Sequence, residues 1–281
     1  MKLRLSLLVL LSALSVPAFA THTAAHHSAE SSTPAAFTDP AKFYLGIFGG
    51  RGSSGNFNIS QYGTAFITES SGGPLAVNAF GGMHSQTTSY FGAQLGYQMQ
   101  EIMMGATQCA LAPAAELEIQ GMGSSSFSGH VINNTTRVPE HDFAVTYPMS
   151  RTVFLVNGVV NFSSPRIMVH PYIGFGVGNA VMRISGADST QLSPPEAGVN
   201  HYNASTNSSD SAFAGQIKLG LSYDFNQYAT VFAEYRWLYV ASTQFEFGST
   251  VYAAHAATSS WRVDMDAQRY NMGDVGIRFN L

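Results

Sequence analysis

Apolar and polar residues alternate along eight stretches of this chain with the period of two that is typical of β-strands. The clearest pair lies within 215–240, where one face is apolar throughout and the other face carries Lys218, Glu234 and Arg236. The pattern predicts strands over 42–51, 88–99, 115–123, 151–162 and 167–183, two strands within 215–240, and a last strand over 270–281.

The direction in which these faces point decides the class of protein. A soluble sheet turns its apolar face to a core, whereas a transmembrane barrel turns it to lipid and keeps charges in the lumen. With the charged face outward, each basic group near the bilayer midplane would cost about 2–4 kcal/mol. For Lys218, Glu234 and Arg236 together, that cost rivals a typical folding stability of about 5–15 kcal/mol. We therefore expect the charges to face a lumen.

The connections between the strands are sorted by length. Long polar stretches at 52–87, 124–148, 185–209 and 242–268 fall at one rim, and three shorter links fall at the other. Outer-membrane barrels have this asymmetry, with long extracellular loops and short periplasmic turns. The predicted fold is therefore all-β, an eight-stranded antiparallel up-and-down transmembrane β-barrel with four long extracellular loops and short periplasmic turns.

Residues directly opposite each other on antiparallel strands point to the same side of the sheet, which restricts the register of the pair within 215–240. A three-residue loop at 226–228 meets this condition by pairing Phe225 with Ala229. The resulting register pairs Lys218 with Arg236, Leu219 with Tyr235, and Ile217 with Trp237.

With apolar side chains towards lipid and charges towards the lumen, the sequence predicts two sets of site residues. The expected lipid-facing set is Ile217, Leu219, Leu221, Tyr235, Trp237, Ile277 and Phe279. The expected ion network of the lumen is Glu116, Glu118, Lys218, Glu234, Arg236, Asp274 and Arg278. Because side chains just fill the interior of an eight-stranded barrel, we expect a plugged lumen whose network fixes the register. The alternative is a gate whose ion pairs rearrange to open a small channel.

The N-terminus predicts export. Lys2 and Arg4 precede an apolar run and a small-residue cleavage site, so residues 1–20 read as a signal peptide. Residues 21–41 read as a disordered periplasmic leader, and 42–281 as the barrel. His22, His26 and His27 of this leader favour a solvated tail over a weak metal site. Without Lys2 and Arg4, eleven basic residues remain against 17 acidic ones, which argues against nucleic acid as a partner.

The chain resembles the OmpA-like and opacity-type eight-stranded outer-membrane barrels, a group that takes in many bacterial surface antigens. The likeness rests on segments 43–46, 171–178, 220–225, 232–237 and 275–279. It implies the bacterial outer membrane as location, and outer-membrane lipid, lipopolysaccharide and the assembly machinery as partners. The family's last strand usually ends on an aromatic residue that resembles an assembly signal; here Phe279 and Leu281 hold the corresponding positions.

The predicted function is non-enzymatic: display of loops for envelope integrity and for contact with a host surface molecule or ligand, with adhesion inferred from the resemblance. The loop aromatics Phe57, Tyr62, Phe127 and Tyr252 offer contact points, although single exposed aromatics usually serve only loop packing. The alternatives are a narrow diffusion channel and a lipid A-modifying enzyme. His201 and Ser205 suggest the latter only superficially, because they lie in a predicted loop where nothing fixes a catalytic geometry. His170 reads as a packing residue, because no second catalytic group can be placed beside it. No catalytic residue, metal or cofactor is predicted.

Overall fold

The computed structural model of the chain describes residues 41–104, 109–134, 140–164 and 168–281. The predicted signal peptide and nearly all of the predicted leader lie outside these residues. The described chain forms a short 3-10 helix, Glu69–Ser71, and the strands β1 (Lys42–Ser54), β2 (Phe57–Ala65), β3 (Leu75–Met83), β4 (Thr87–Gln98), β5 (Ile102–Met103), β6 (Ala110–Asn133), β7 (His141–Ser163), β8 (Val169–Ile184), β9 (Asp188–Ser193), β10 (Ser208–Asn226), β11 (Ala229–Val240), β12 (Thr243–Phe247), β13 (Trp261–Met265) and β14 (Gln268–Asn280). Within those ranges, no helix has the length and apolar character needed to cross a membrane.

Eight of these strands close into a barrel. Going round the ring, β1 pairs with β4, β4 with β6, β6 with β7, β7 with β8, β8 with β10, β10 with β11, β11 with β14, and β14 again with β1, always antiparallel. A closed ring leaves no unpaired edge in the part that meets lipid. The predicted eight-stranded antiparallel barrel is confirmed.

The predicted register of β10 and β11 is confirmed, but the turn between them was predicted wrongly. Lys218 pairs with Arg236 and Leu219 with Tyr235, as expected. The last pair before the turn is Asn226 with Ala229, because a bulge between Asp224 and Asn226 shifts the register. Two residues, 227 and 228, therefore form the turn. The Asn226 side chain accepts hydrogen bonds from the backbone N–H of Tyr228 (2.8 Å) and of Ala229 (2.9 Å), which stabilises this tighter turn.

Each of the four stretches predicted as loops contains strand residues, and this corrects the sequence-based prediction. β2 and β3 form a hairpin in the first, β9 lies in the third, β12 and β13 lie in the fourth, and the long ends of β6 and β7 take up the second. These pieces pair in the order β12, β13, β2, β3, β6, β7, β9. We call this continuation of the barrel wall beyond the membrane the cap.

The segment 194–207 closes the open side of the cap between β9 and β12. The backbone N–H of His201 donates to the Ser189 carbonyl of β9 (2.9 Å). On the other side, the N–H of Gly248 donates to the Ser205 carbonyl (2.8 Å). β12 is the edge strand of the cap, and one of its edge N–H groups is satisfied by a side chain. Asp210 of β10 accepts a hydrogen bond from the N–H of Gln244 (2.7 Å).

A bulge in β6 marks the passage from barrel to cap. The pairing with β7 shifts between Met122 and Ser125, so that Gly123 and Ser124 both face outward. Below the bulge even-numbered residues such as Glu118 face inward, and above it odd-numbered residues such as Phe127 do. An extra residue in one strand switches the side-chain alternation in this way.

Candidate functional site: a charged barrel interior beneath an ordered cap

The seven residues predicted for the lumen network lie together inside the barrel, where all are buried. Lys218 pairs with Glu116, and also lies 3.5 Å from Glu118 and 4.0 Å from Glu234. Arg236 pairs with Glu118, and its guanidinium lies 2.9 Å from Glu234 and 2.7 Å from Asp274. Four acids and three bases thus form one connected cluster in which each charge has an opposite neighbour.

Neutral side chains provide further hydrogen bonds to the acids. The hydroxyls of Tyr44, Tyr90 and Tyr172 donate to Glu116 (2.5 Å), Asp274 (2.6 Å) and Glu234 (2.6 Å), respectively. Asn157 and Gln216 donate to Glu118 at 3.0 and 3.2 Å. Buried charges are tolerated when hydrogen bonds satisfy the lone pairs that the ion pair leaves over, and these donors satisfy some of them here.

Aromatic rings flank the interior cations. The guanidinium of Arg278 lies 4.5 Å from the ring centre of Phe232 and 4.7 Å from that of Tyr172, and Arg236 lies 4.0 Å from that of Phe48. Arginine stacks favourably on such rings. The rings and the ion pairs thus lie side by side in the lumen.

Glycines on the neighbouring strands make room for these rings. A Cβ atom at Gly276 would lie 2.3 Å from the ring of Phe232, and one at Gly220 would lie 2.2 Å from that of Tyr172. The same crowding at Gly174 and Gly176 comes from Lys218 and Asn157. Close packing in a crowded lumen therefore accounts for these last two glycines.

The predicted lipid-facing residues all point away from the interior. Leu219, Leu221, Tyr235 and Phe279 are exposed, and so is Ile217, whereas Trp237 and Ile277 are half-buried against their neighbours on the outer surface. The exposed large side chains of the barrel are mostly apolar, among them Phe91, Leu117, Phe154, Val156, Phe175 and Val275. A contiguous apolar surface of this kind is suited to acyl chains and not to water.

The interior of the cap is a hydrophobic core. Its buried side chains include Ile59, Val77, Phe127, Val131, Phe143, Val145, Phe245, Phe247, Trp261 and Val263. A small polar cluster joins the walls: the Tyr202 hydroxyl donates to Gln61 Oε1 (2.8 Å) and lies 2.7 Å from that of Tyr147.

This core corrects the interpretation of the loop aromatics as contact points. Phe57 and Phe127 are buried in the cap and meet edge to face, with ring centres 5.3 Å apart. The Tyr252 hydroxyl accepts a hydrogen bond from the backbone N–H of Asn200 (3.1 Å) and so holds two segments together. Of the four aromatics, Tyr62 lies on the outer face of the cap.

Tyr62 belongs to an exposed patch that we call the cap patch: Tyr62, Phe80, Ile132 and Arg262. Phe80 and Ile132 are direct cross-strand partners, 55% and 39% exposed. The rings of Tyr62 and Phe80 meet edge to face with centres 6.0 Å apart, and Arg262 lies 4.5 Å above the Tyr62 ring. These residue types are enriched where proteins bind each other.

A second polar cluster was not predicted from the sequence. It lies where the segment 194–207 meets the connection between β12 and β13, a place that we call the seam of the cap. His201 Nε2 and His255 Nε2 lie 3.4 and 3.3 Å from Glu196 Oε2. Burial lowers the pKa of the His201 imidazole. No spacing in the sequence indicates this cluster, because two of its members come from 194–207 and the third from the connection between β12 and β13.

The residues weighed for catalysis are not arranged for it. The Ser205 hydroxyl donates to the carbonyl of Asn207 (3.4 Å), whereas His201 faces Glu196. His170 lies at the turn end of the barrel, 3.5 Å from Asp224. A nucleophile and base require a direct hydrogen bond, which neither histidine makes to a serine hydroxyl among the described residues.

A closed eight-stranded barrel with an apolar belt and a charged interior defines an outer-membrane β-barrel protein. Residues 83–281 match the family model described as Surface antigen (Surface_Ag_2), so the chain belongs to that family. It is a surface-exposed protein of the bacterial outer membrane, and the predicted location is confirmed. The long connections therefore form the extracellular rim.

Several solved structures are similar to this chain at low identity. Neisserial surface protein A is 12% identical with a TM-score of 0.36, covering 86% of this chain and 99% of that one. OprG from Pseudomonas aeruginosa is 14% identical with a TM-score of 0.36, covering 86% and 97%. The outer membrane protease OmpT from Escherichia coli is 9% identical with a TM-score of 0.37, covering 84% and 97%. These scores are too low to carry an argument, and no curated protein matches the chain.

Proposed function

We propose that this protein is a non-enzymatic surface antigen whose barrel holds a rigid cap outside the cell, where the cap contributes to envelope integrity and contacts a host surface molecule. The observation that carries the proposal is the cap itself, because an ordered core behind the cap patch preorganises a contact surface. A preorganised surface loses less conformational entropy on binding than mobile loops do.

The chemistry of the cap patch supports a protein partner. It combines two aromatic rings, an aliphatic side chain and an arginine on one outward sheet face. Arginine and tyrosine dominate the binding energy at many protein interfaces, where a few such residues account for most of the affinity.

Adhesion can be tested by display on a non-adherent Gram-negative strain, counting the bacteria that bind to epithelial monolayers. The wild-type protein should raise binding above the empty vector, and the double variant Phe80→Ser, Arg262→Ser should return it towards that level. Val251→Ser, which alters an exposed apolar residue elsewhere on the cap, is the matched control and should keep wild-type binding. Wild-type binding equal to the vector would contradict the adhesive role.

The ion pairs that join strands across the lumen support a structural role over the two alternatives. In planar bilayers the protein should give no steady single-channel conductance, and its expression should leave the mass of lipid A unchanged. A stable open conductance would replace the proposal with the diffusion channel, and a change in lipid A acylation would replace it with the enzyme. Loss of the gene should increase sensitivity to detergent if the protein supports the envelope and interacts with lipopolysaccharide.

A further inference from the structure

The cluster at the seam of the cap brings together three groups that are good metal ligands. Glu196 and His201 belong to the closing segment 194–207, and His255 lies between β12 and β13. One ligand atom from each residue lies within 4.8 Å of the other two. The cluster therefore joins two connections that are distant in sequence.

Hydrogen bonds to the backbone fix how both imidazoles are protonated. His201 Nδ1 lies 2.7 Å from the Ser189 carbonyl oxygen, and His255 Nδ1 lies 2.6 Å from the Ala256 carbonyl oxygen. A carbonyl oxygen can only accept, so each Nδ1 carries a proton. In the neutral rings each Nε2 therefore has a free lone pair, and each Nε2 faces Glu196. Histidines that bind metals are commonly oriented by such a hydrogen bond from the other ring nitrogen.

The carboxylate of Glu196 presents an oxygen atom to these two nitrogen atoms. Its Oε2 atom is buried and accepts no hydrogen bond from any residue that the structure describes. Two nitrogen lone pairs and a carboxylate oxygen thus converge without a donor between them. Such an arrangement of acceptors is relieved either by a proton on one imidazole or by a metal ion bound among the three atoms.

We propose that Glu196, His201 and His255 bind a divalent transition metal ion of the zinc type, which pins the closing segment to the β12–β13 connection. Zinc takes histidine nitrogen and carboxylate oxygen at about 2.0–2.2 Å, so tetrahedral ligands lie about 3.3–3.6 Å apart. The two Glu196 to histidine distances, 3.4 and 3.3 Å, match this spacing. Imidazole ligands favour zinc, copper or nickel over calcium and magnesium.

The surroundings of His201 suit a structural metal. Its ring meets those of Phe143 and Trp261 edge to face, with centres 5.2 and 5.9 Å apart. An apolar shell limits access of water and strengthens the attraction between the ion and its ligands. Three protein ligands leave a fourth position for water or for a group of a partner.

Zinc binding should be measured on the full chain in detergent, by competition with a chromophoric chelator and by the visible spectrum of bound Co²⁺. The histidines of the predicted leader are removed from all variants by His22→Ala, His26→Ala and His27→Ala. In that background we expect one zinc per chain and a four-coordinate cobalt spectrum. His255→Ala and Glu196→Gln should each weaken zinc binding by more than about tenfold, because even second-shell changes cost about 10–100-fold.

The matched control is His130→Ala, which removes an exposed histidine of the cap outside the cluster. It should leave the affinity unchanged, and the heat-modifiable gel shift reports whether each variant is folded. Zinc should also protect the 248–260 connection from proteolysis in the control and not in His255→Ala. The proposal is overturned if the parent background binds no zinc, or if zinc binding survives both His255→Ala and Glu196→Gln. Should a variant fail to fold, the cobalt spectrum of the parent decides: a six-coordinate spectrum or none overturns the site.

Discussion

The barrel and the cap share the long strands β6 and β7, yet their interiors have opposite chemistry. In the lower part of β6, Glu116 and Glu118 face inward while Leu117 and Ile119 face outward. In its upper part, Phe127 and Val131 face inward, and the outward positions carry three serines and a histidine before Ile132. Polarity is thus inverted within a single strand of 24 residues.

The medium outside the wall therefore determines whether polar or apolar side chains face the interior. Where the outer surface meets acyl chains, charges must collect in the lumen. Where it meets water, apolar side chains collect inside as in any soluble sheet. The comparison therefore predicts that equivalent substitutions will have different consequences in the two regions.

The largest difference should come from removing one arginine in each region. Arg236→Ala leaves three carboxylates of the lumen without their shared cation, which should cost about 3–5 kcal/mol. Arg262→Ala removes an exposed pair with Asp264 at 3.2 Å and should cost less than about 1 kcal/mol. The temperature at which the heat-modifiable band shifts measures both, and equal midpoints would rule out the stabilising role of the network.

A substitution in the core of the cap should act locally. Phe245→Ala creates a cavity among buried aromatic side chains, with a typical cost of about 3–5 kcal/mol. Because the barrel is closed independently of β12, we expect rapid proteolysis of the cap while the barrel fragment stays heat-modifiable. Loss of the barrel fragment together with the cap would show that the two regions fold as one unit.

The outer surfaces should also respond differently to one added charge. Leu219→Arg puts a cation on the lipid-facing surface, at about 2–4 kcal/mol near the midplane. Ser128→Arg puts the same charge on the exposed face of the cap, where surface substitutions usually stay within about 0.5 kcal/mol. Folding titrations into lipid vesicles measure both variants, and a harmless Leu219→Arg would contradict the assigned facing.

The smallest expected effect is the coupling between Lys218 and Glu116. Each single variant, Lys218→Met or Glu116→Gln, leaves a buried charge with fewer partners, so the double variant should lose less stability than the sum. Contacting residues in a network typically show coupling of about 0.5–3 kcal/mol. Denaturant unfolding of the four proteins gives the value, and strict additivity would mean that the pair contributes no direct interaction.

The sequence predicted the barrel well because lipid imposes a strong rule on every second residue. The pairing of Lys218 with Arg236 followed from parity together with a three-residue loop, whereas the actual turn was missed because the bulge near Asn226 breaks that parity. The cap was missed because its serine-rich outer face resembles a loop, although Phe127 and Val131 alternate with polar residues as in a soluble strand. The cluster of Glu196, His201 and His255 depends on contacts between distant connections, which no local pattern encodes.

The outer face of the wall is apolar in the barrel and polar in the cap, and spin labels at two outward positions can measure this difference. Labels at Leu219 and Ser128, in protein reconstituted into a bilayer, are compared for collision with dissolved oxygen and with a water-soluble nickel complex. The label at Leu219 should favour oxygen, as in hydrocarbon, and the label at Ser128 should favour the nickel complex. A label at Leu219 that behaves as if in bulk water would contradict this expectation.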